Sequence, residues 1–224
     1  MSRSIAMIPA RLGSQRLKKK NLELFGDHTL IEHAILKCKQ SEVFDEIYVN
    51  SESEVFEKYA KLHNVSFYKR PEILGNNIST SEDFVEDFLR NVECDYLYQV
   101  HSITPLLSVM EIQEFVEFCN RNRQYDTVLS CIEDQIEVAY LNTPVNFSFS
   151  NKTNSQDLKP TQRITWSITK WSSKKYLNEK DQLHNGTYSG KIGFKSIGPY
   201  SGLAIKTEED LQVARILKGI SSDS

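Results

Sequence analysis

Short apolar runs alternate with helical patterns along most of the chain, and turn signals separate them. Ile5 to Ile8 are four apolar residues in a row, too few for a helix and typical of a strand buried on both faces. Leu30 to Cys38 has helical spacing, with Ile31, Ala34 and Ile35 on one face. Glu46 to Asn50 (EIYVN) reads as a second strand, and Ser51 or Ser53 is placed to cap a helix running to about His63. Val65 to Tyr68 gives a third strand. Ser81 then opens a helix whose Phe84, Val85, Phe88 and Leu89 share one face. A fourth strand spans Tyr96 to Val100. Ser108 and Glu111 form a capping-box signature before a helix with Ile112, Phe115 and Val116 inward, and Thr127 to Ile132 is a fifth strand.

Strand and helix in strict alternation imply right-handed crossovers. The expected fold is α/β, a mostly parallel Rossmann-like sheet with helices on both faces. Ligands in such sheets bind beyond the carboxyl ends of the strands, so the loops there carry the functional information. Residues 1–132 are the expected nucleotide-binding core. The rhythm changes after Glu133: residues 140–160 are rich in Asn, Ser and Thr without a helical period, as in a loop-rich excursion or short hairpin. Ile164 to Lys170 and Lys191 to Ile197 resume a strand-like pattern. Residues 133–200 are assigned to the excursion, and 201–224 to a C-terminal strand and helix completing the core. Thr207 and Asp210 open that helix, Leu211, Ala214 and Leu217 lie on one side of it, and Ser221 to Ser224 are expected to fray.

Composition narrows the partners. The net charge of −3 argues against a general nucleic-acid or anionic-membrane binder. Cys38, Cys94, Cys119 and Cys131 are far apart without a C-x-x-C pair, which fits reduced thiols rather than a disulfide frame or zinc site. The first apolar run is broken by Pro9 and Arg11, too early for a signal peptide, and no stretch reaches the ~18 apolar residues of a membrane span. A cytoplasmic location is expected.

Local charge is more telling than the total. No acidic residue occurs before Glu23, while Arg11, Arg16, Lys18, Lys19 and Lys20 crowd ten positions just after the first strand. Gly13 can bring backbone N–H groups close to a ligand, and Ser14 adds a hydroxyl. Amide donors and clustered cations at the end of a strand are what a triphosphate requires. A basic run is often only a solvated loop; position and the embedded Gly-Ser favour the functional reading here. The segment is neither a P-loop nor a dinucleotide fingerprint.

IPARLGSQRLKKKNL, residues 8–22, resembles the N-terminal motif of the cytidylyltransferases that activate nonulosonic and ulosonic acids as CMP-sugars. The acylneuraminate (CMP-sialic acid) type is the nearer and CMP-Kdo synthetase the more distant. The resemblance continues through LIEHAILKCKQSEVFDEIYVNSES and FYKRPEIL, and is good over roughly residues 4–132. It implies a nucleotide-diphospho-sugar transferase type of sheet, and transfer of CMP from CTP to the anomeric hydroxyl of a sialic-acid-like sugar, with release of pyrophosphate. Arg11, Leu12, Gly13, Ser14, Arg16 and Lys20 would then hold the triphosphate. Among them Arg11, Arg16 and Lys20 would act catalytically on the leaving group. Asn21 would help read cytosine, and Arg70 with Ser81, or else Ser79, would complete the nucleotide site. Gln99 would touch the acidic sugar, with His101 a further candidate beside it.

The same resemblance implies magnesium, held by the aspartates of a D-I-D-T segment before the last helix. Ala204 and Lys206 stand in those places, and neither is a hard oxygen ligand. An alternative is therefore a catalytically impaired member that binds nucleotide or sugar without turnover. The family also dimerises through a late excursion, which makes Tyr140, Phe147, Phe149, Trp166 and Trp171 candidates for a homodimer surface; internal packing of the two tryptophans is the competing expectation.

Overall fold

Burial along the first strand, β1 (Ser4–Pro9), alternates between two cores. Ile5 and Met7 enter one hydrophobic cluster while Ala6 and Ile8 enter another on the opposite face, so the strand is covered on both sides. A computed structural model describes residues 2–222. Strands β2 (Glu46–Ser51) and β3 (Ser66–Lys69) extend the sheet on one side of β1, and β4 (Tyr96–Val100) lies on the other, all parallel. Beyond them come β5 (Thr127–Asp134), β6 (Thr161–Ser172) and β7 (Ile192–Ser196), giving the order β7-β5-β6-β4-β1-β2-β3. The expected mostly parallel α/β sheet is present.

Helices cover both faces. The first cluster joins Ala6, Ile8, Tyr98 and Val100 to α1 (Leu30–Ser41), α2 (Glu57–Leu62) and α4 (Val109–Arg121) through residues such as Ile35, Ala60 and Phe115. Its counterpart joins Ile5, Met7 and Leu97 to α3 (Ser81–Asn91) and α5 (Ser173–Asp181) through Phe88 and Tyr176. The capping box at Ser108 and Glu111 starts α4 as its sequence indicates. Ser53 rather than Ser51 accepts from Val55 N–H at the turn leading into α2. The cap of α3 is Thr80, which exchanges hydrogen bonds with Asp83; Ser81 is the first helical residue and its hydroxyl is not the cap.

One strand departs from the parallel expectation. Strand β6 is antiparallel to both neighbours and lies between β4 and β5, which would otherwise be adjacent. Alternation of strands and helices cannot reveal such an insertion. Nor could apolar periodicity give its full length, because its inward positions include Thr165, Ser167, Thr169 and Lys170, all buried. Most of those polar groups find local partners: Thr165 Oγ1 pairs with Ser130 Oγ, Ser167 Oγ donates to the Ser201 carbonyl, and Lys170 Nζ donates to the Tyr125 carbonyl. The register of β6 against β5 shifts between Ile164 and Thr169, and in this bulge Trp166 has φ 60°.

Residues 133–200 thus supply two strands of the main sheet. The loop-rich part, 135–160, carries the short hairpin expected there, with Ala139–Tyr140 paired to Thr143–Pro144. The C-terminal stretch differs from expectation, since residues 201–207 form no strand. They cross the sheet end as a loop tied by Ile205 N–H to the Ile103 carbonyl, and α6 (Glu208–Ser222) follows. Helix α6 is described as far as Ser222; the expected fraying of the last four residues falls in part on Asp223 and Ser224, which lie outside the described residues. All four cysteines are free thiols.

Trp171 is an internal residue, 2% exposed, with Nε1 donating to the Thr187 carbonyl and its ring edge-on to Tyr176. It therefore cannot serve a partner surface. Replacing it with alanine, Trp171→Ala, is expected to cost about 3–5 kcal/mol in urea unfolding, the range for emptying an aromatic site in a core. A loss below about 1 kcal/mol would show that β6 and α5 do not depend on this anchor.

Candidate active site

The carboxyl ends of β1 to β4 converge on one cleft, and a buried ion pair fixes its floor. Arg70, just after β3, is 2% exposed. Its Nη2 donates to Glu52 Oε2 at 2.8 Å and to the Ala10 carbonyl at 3.0 Å, and its Nη1 to Asn50 Oδ1 at 3.3 Å. Glu52 Oε1 in turn accepts from Leu12 N–H at 2.9 Å, so the pair also grips the start of the basic loop. Burial lowers the pKa of Arg70, opposed by Glu52, and the guanidinium lies 4.8 Å from the Phe84 ring. Its Nε is buried without a hydrogen-bond partner.

The far end of the loop is held by Asn21, which is 4% exposed. Asn21 Nδ2 donates to the Arg11 carbonyl at 3.0 Å and its Oδ1 accepts from Ser102 Oγ at 2.7 Å. Asn21 is thus a clamp across the loop, with one amide hydrogen left to offer a ligand. Between the two anchors Arg11 reaches over to the Asn76 carbonyl and the Asn77 side chain, Arg16 is exposed, and Ser14 N–H donates back to the Leu12 carbonyl. A Cβ at Gly13 would meet nothing within 4 Å, so packing does not demand glycine there.

The cleft has three adjoining chambers. A small one of about 160 Å³ is lined by Arg11, Lys20, Asn21, Arg70, Phe84 and His101 among others. His101 also lines a second, of about 310 Å³, together with Ser81, Gln99, Trp166 and Tyr188. Trp166 in turn borders the third and largest, of about 800 Å³, with Arg163, Tyr200, Lys206 and Asp210. Ile103 lines both the first and the third, closing the circuit. Ser79 is turned away, its Oγ donating to the Ile73 carbonyl, so of the two candidate serines Ser81 faces the cleft.

Burial, then Arg16 and Arg11, lower Lys20 to about 8. Desolvation, helped by Lys20, lowers His101 to about 4, so its ring is neutral at physiological pH. Gln99 Nε2 lies 2.8 Å from His101 Nε2. An amide nitrogen can only donate, which leaves the ring Nε2 as acceptor and its proton on Nδ1.

The magnesium ligands do not materialise. Asp210 is the one acidic residue lining the three chambers among the described residues, and its Oδ2 already accepts from the N–H groups of Lys206 and Thr207 at the start of α6. No group of three or more His, Cys, Asp or Glu among the described residues is arranged to hold a metal. A donor set of alanine, lysine and a carboxylate engaged in capping does not fit a divalent ion that wants hard oxygens.

Most of the residues singled out in the sequence come together here: Arg11, Lys20, Asn21, Arg70, Ser81, Gln99 and His101 all reach the cleft. Glu52, Phe84 as an aromatic wall and Trp166 as a cleft residue were not expected. Only Glu52 carried a signal, as the acid in the NSES run beyond the second strand.

A sheet of this topology with a basic loop after its first strand is a Rossmann-like nucleotidyltransferase fold. A solved structure of a CMP:2-keto-3-deoxy-manno-octonic acid synthetase complexed with CTP shares it, with a TM-score of 0.73 at 15% identity, covering 98% of this chain and 100% of that one. Residues 5–194 match the cytidylyltransferase family, and the chain belongs to it. It is 27% identical over 195 residues to the N-acylneuraminate cytidylyltransferase of Streptococcus agalactiae serotype V, covering 83% of this chain and 47% of that protein. With the enzyme of the same name from Escherichia coli O18:K1:H7 it shares 30% over 128 residues, 56% of this chain and 30% of the other. The chain spans half or less of the length of these curated relatives.

Two outcomes follow from this geometry. Removing the carboxylate with Glu52→Ala leaves Arg70 charged and buried, and is expected to cost about 3–5 kcal/mol in chemical denaturation; a change under about 1 kcal/mol would disprove the anchoring role. Lys20 loses its proton near pH 8 in the free protein, whereas a bound polyanion favours the ammonium. Binding of a triphosphate should therefore take up a proton and weaken as pH rises above about 8, by up to about tenfold per pH unit. Calorimetry from about pH 7 to about pH 9 reads this, and Lys20→Arg should flatten the profile.

Proposed function

We propose that the chain transfers CMP from CTP to the anomeric hydroxyl of a nonulosonic, sialic-acid-like sugar and releases pyrophosphate. The observation that carries this reading is the shared wall at His101: the cation-lined chamber beside the basic loop adjoins there the chamber holding Gln99. A nucleotide in the first places its α-phosphorus toward a sugar in the second. The sugar hydroxyl gives up its proton to solvent as its oxygen forms the new O–P bond in line, and the bond from the α-phosphorus to the oxygen bridging to the β-phosphate breaks. Arg11, Arg16 and Lys20 neutralise the pyrophosphate as it leaves, the main catalytic task in phosphoryl-type transfer. Arg70 and Asn21 hold the cytidine, Ser81 contributes to the nucleotide from the adjoining chamber that it lines with Gln99, and Gln99 orients the acidic sugar.

Family membership and the relatives' names support the activity; Ala204 and Lys206 support the second reading, a member that binds nucleotide or sugar without turnover. We place the protein in the cytoplasm, where CTP is available; no helix among the described residues is long and apolar enough to cross a membrane. A homodimer is part of the proposal, with Tyr140 and Phe149, 71% and 74% exposed on the excursion, as its surface.

Pyrophosphate release from CTP with a panel of nonulosonic acids distinguishes the readings. Turnover is expected, with Lys20→Ala lowering kcat by about 10²–10³-fold, as for loss of one preorganised electrostatic group. Gln99→Ala should act chiefly on the KM for the sugar. CTP binding without pyrophosphate from any acid would establish the non-catalytic reading instead.

A further inference from the structure

The segment standing where a metal site would be brings a cation to the basic loop. Leu203 and Ile205 join a hydrophobic cluster with Phe25, Leu30 and Leu211 that also takes in Leu17, from the middle of the basic loop. Ile205 N–H is further tied to the Ile103 carbonyl at 2.8 Å, and Ile103 lines both the chamber of Lys20 and the chamber of Lys206. Packing therefore sets residue 206 beside residues 16–20. Asp210 fixes the backbone there, accepting from Lys206 N–H at 2.8 Å, while the Lys206 side chain stays exposed at the mouth of the largest chamber. Lys206 is also among the positive charges that disfavour the Lys20 ammonium, which is consistent with their being neighbours.

We propose that Lys206 completes, with Arg11, Arg16 and Lys20, a polyphosphate site that works without a divalent ion, its ammonium supplying the positive charge a bridging metal would bring. A lysine is a compact point charge with three rotatable donors, suited to bridging oxygens of adjacent phosphates, and needs no oxygen ligands beneath it. Ala204 has no polar side chain, so the competitor for that ammonium here is the Asp210 carboxylate, one oxygen of which is already taken by the N–H groups of Lys206 and Thr207. The inference rests on the polyphosphate half of the functional reading, not on the cytidine or the sugar.

Calorimetry of the full chain with inorganic tripolyphosphate and with CTP, in EDTA and in excess magnesium, tests both halves separately. Tripolyphosphate is expected to bind in EDTA at least as tightly as in magnesium, which only competes for the anion. Lys206→Ala should weaken binding in EDTA by about tenfold and Lys206→Arg should largely restore it, with circular dichroism confirming that the variants fold. Lys206→Asp should abolish binding in EDTA and make it magnesium-dependent. Wild-type binding more than about tenfold tighter with magnesium than in EDTA would overturn the inference, as would an unchanged Lys206→Ala or no tripolyphosphate binding at all. Metal-free tripolyphosphate binding with no preference for CTP over other nucleoside triphosphates would uphold this inference and sink the cytidylyl reading. Strictly magnesium-dependent, CTP-selective binding would do the reverse.

Discussion

Arg70 and Glu52 sit where the first three strands end, and their contacts explain how a loop with five cations in ten positions holds one course. The guanidinium reaches the Ala10 carbonyl and Asn50, while the carboxylate reaches Leu12 N–H, so one pair connects the ends of β1, β2 and β3 to the loop. A charge this deep is tolerable only while it is paired and hydrogen-bonded. Either partner alone would lower stability, and the loop would lose its starting point. Asn21 performs the complementary task at the other end with a neutral group, which avoids adding charge beside Lys20.

With its ends fixed, the loop holds mutually repelling cations in place before a ligand arrives. The lowered pKa of Lys20 is the sign of burial and of that repulsion together. An anion relieves it, so ordering and charge work in the same direction: the protein meets the destabilising cost on folding and recovers it on binding. The neutral ring of His101 separates this electropositive chamber from the one lined by Gln99 and Ser81, and provides a polar surface without another charge.

Most of the sheet was legible because its strands are short apolar runs between well-marked helices. Most of the cleft was legible too, because the basic loop is continuous in sequence and its partners follow strand ends. What escaped is discontinuous or disguised. The buried polar face of β6 hid its length, and its place between β4 and β5 depends on pairing across long separations that local pattern does not encode. Ser81 begins α3 as its pattern indicates, while the cap one position earlier, Thr80, is a detail finer than propensity can resolve. The strand expected in 201–224 is absent, because Leu203 and Ile205 pack in one cluster with Leu17 and Phe25 rather than alternating across a sheet.

The antiparallel placement of β6 also shapes how the chain reaches this structure. As the polypeptide emerges in order from its N-terminus, β1 to β4 can pair among themselves, leaving the free edge of β4 without a partner until residues 161–172 appear. The nascent half-sheet therefore carries an unprotected strand edge through the synthesis of some sixty residues, roughly from Val100 to Thr161, an interval of several seconds at ordinary elongation rates. That edge is a template for pairing with another chain. The late strand that carries Trp166 to the cleft is thus also the one that covers the edge of β4, leaving β3 and β7 as the edges of the finished sheet, and chains halted before it keep that further edge exposed to aggregation.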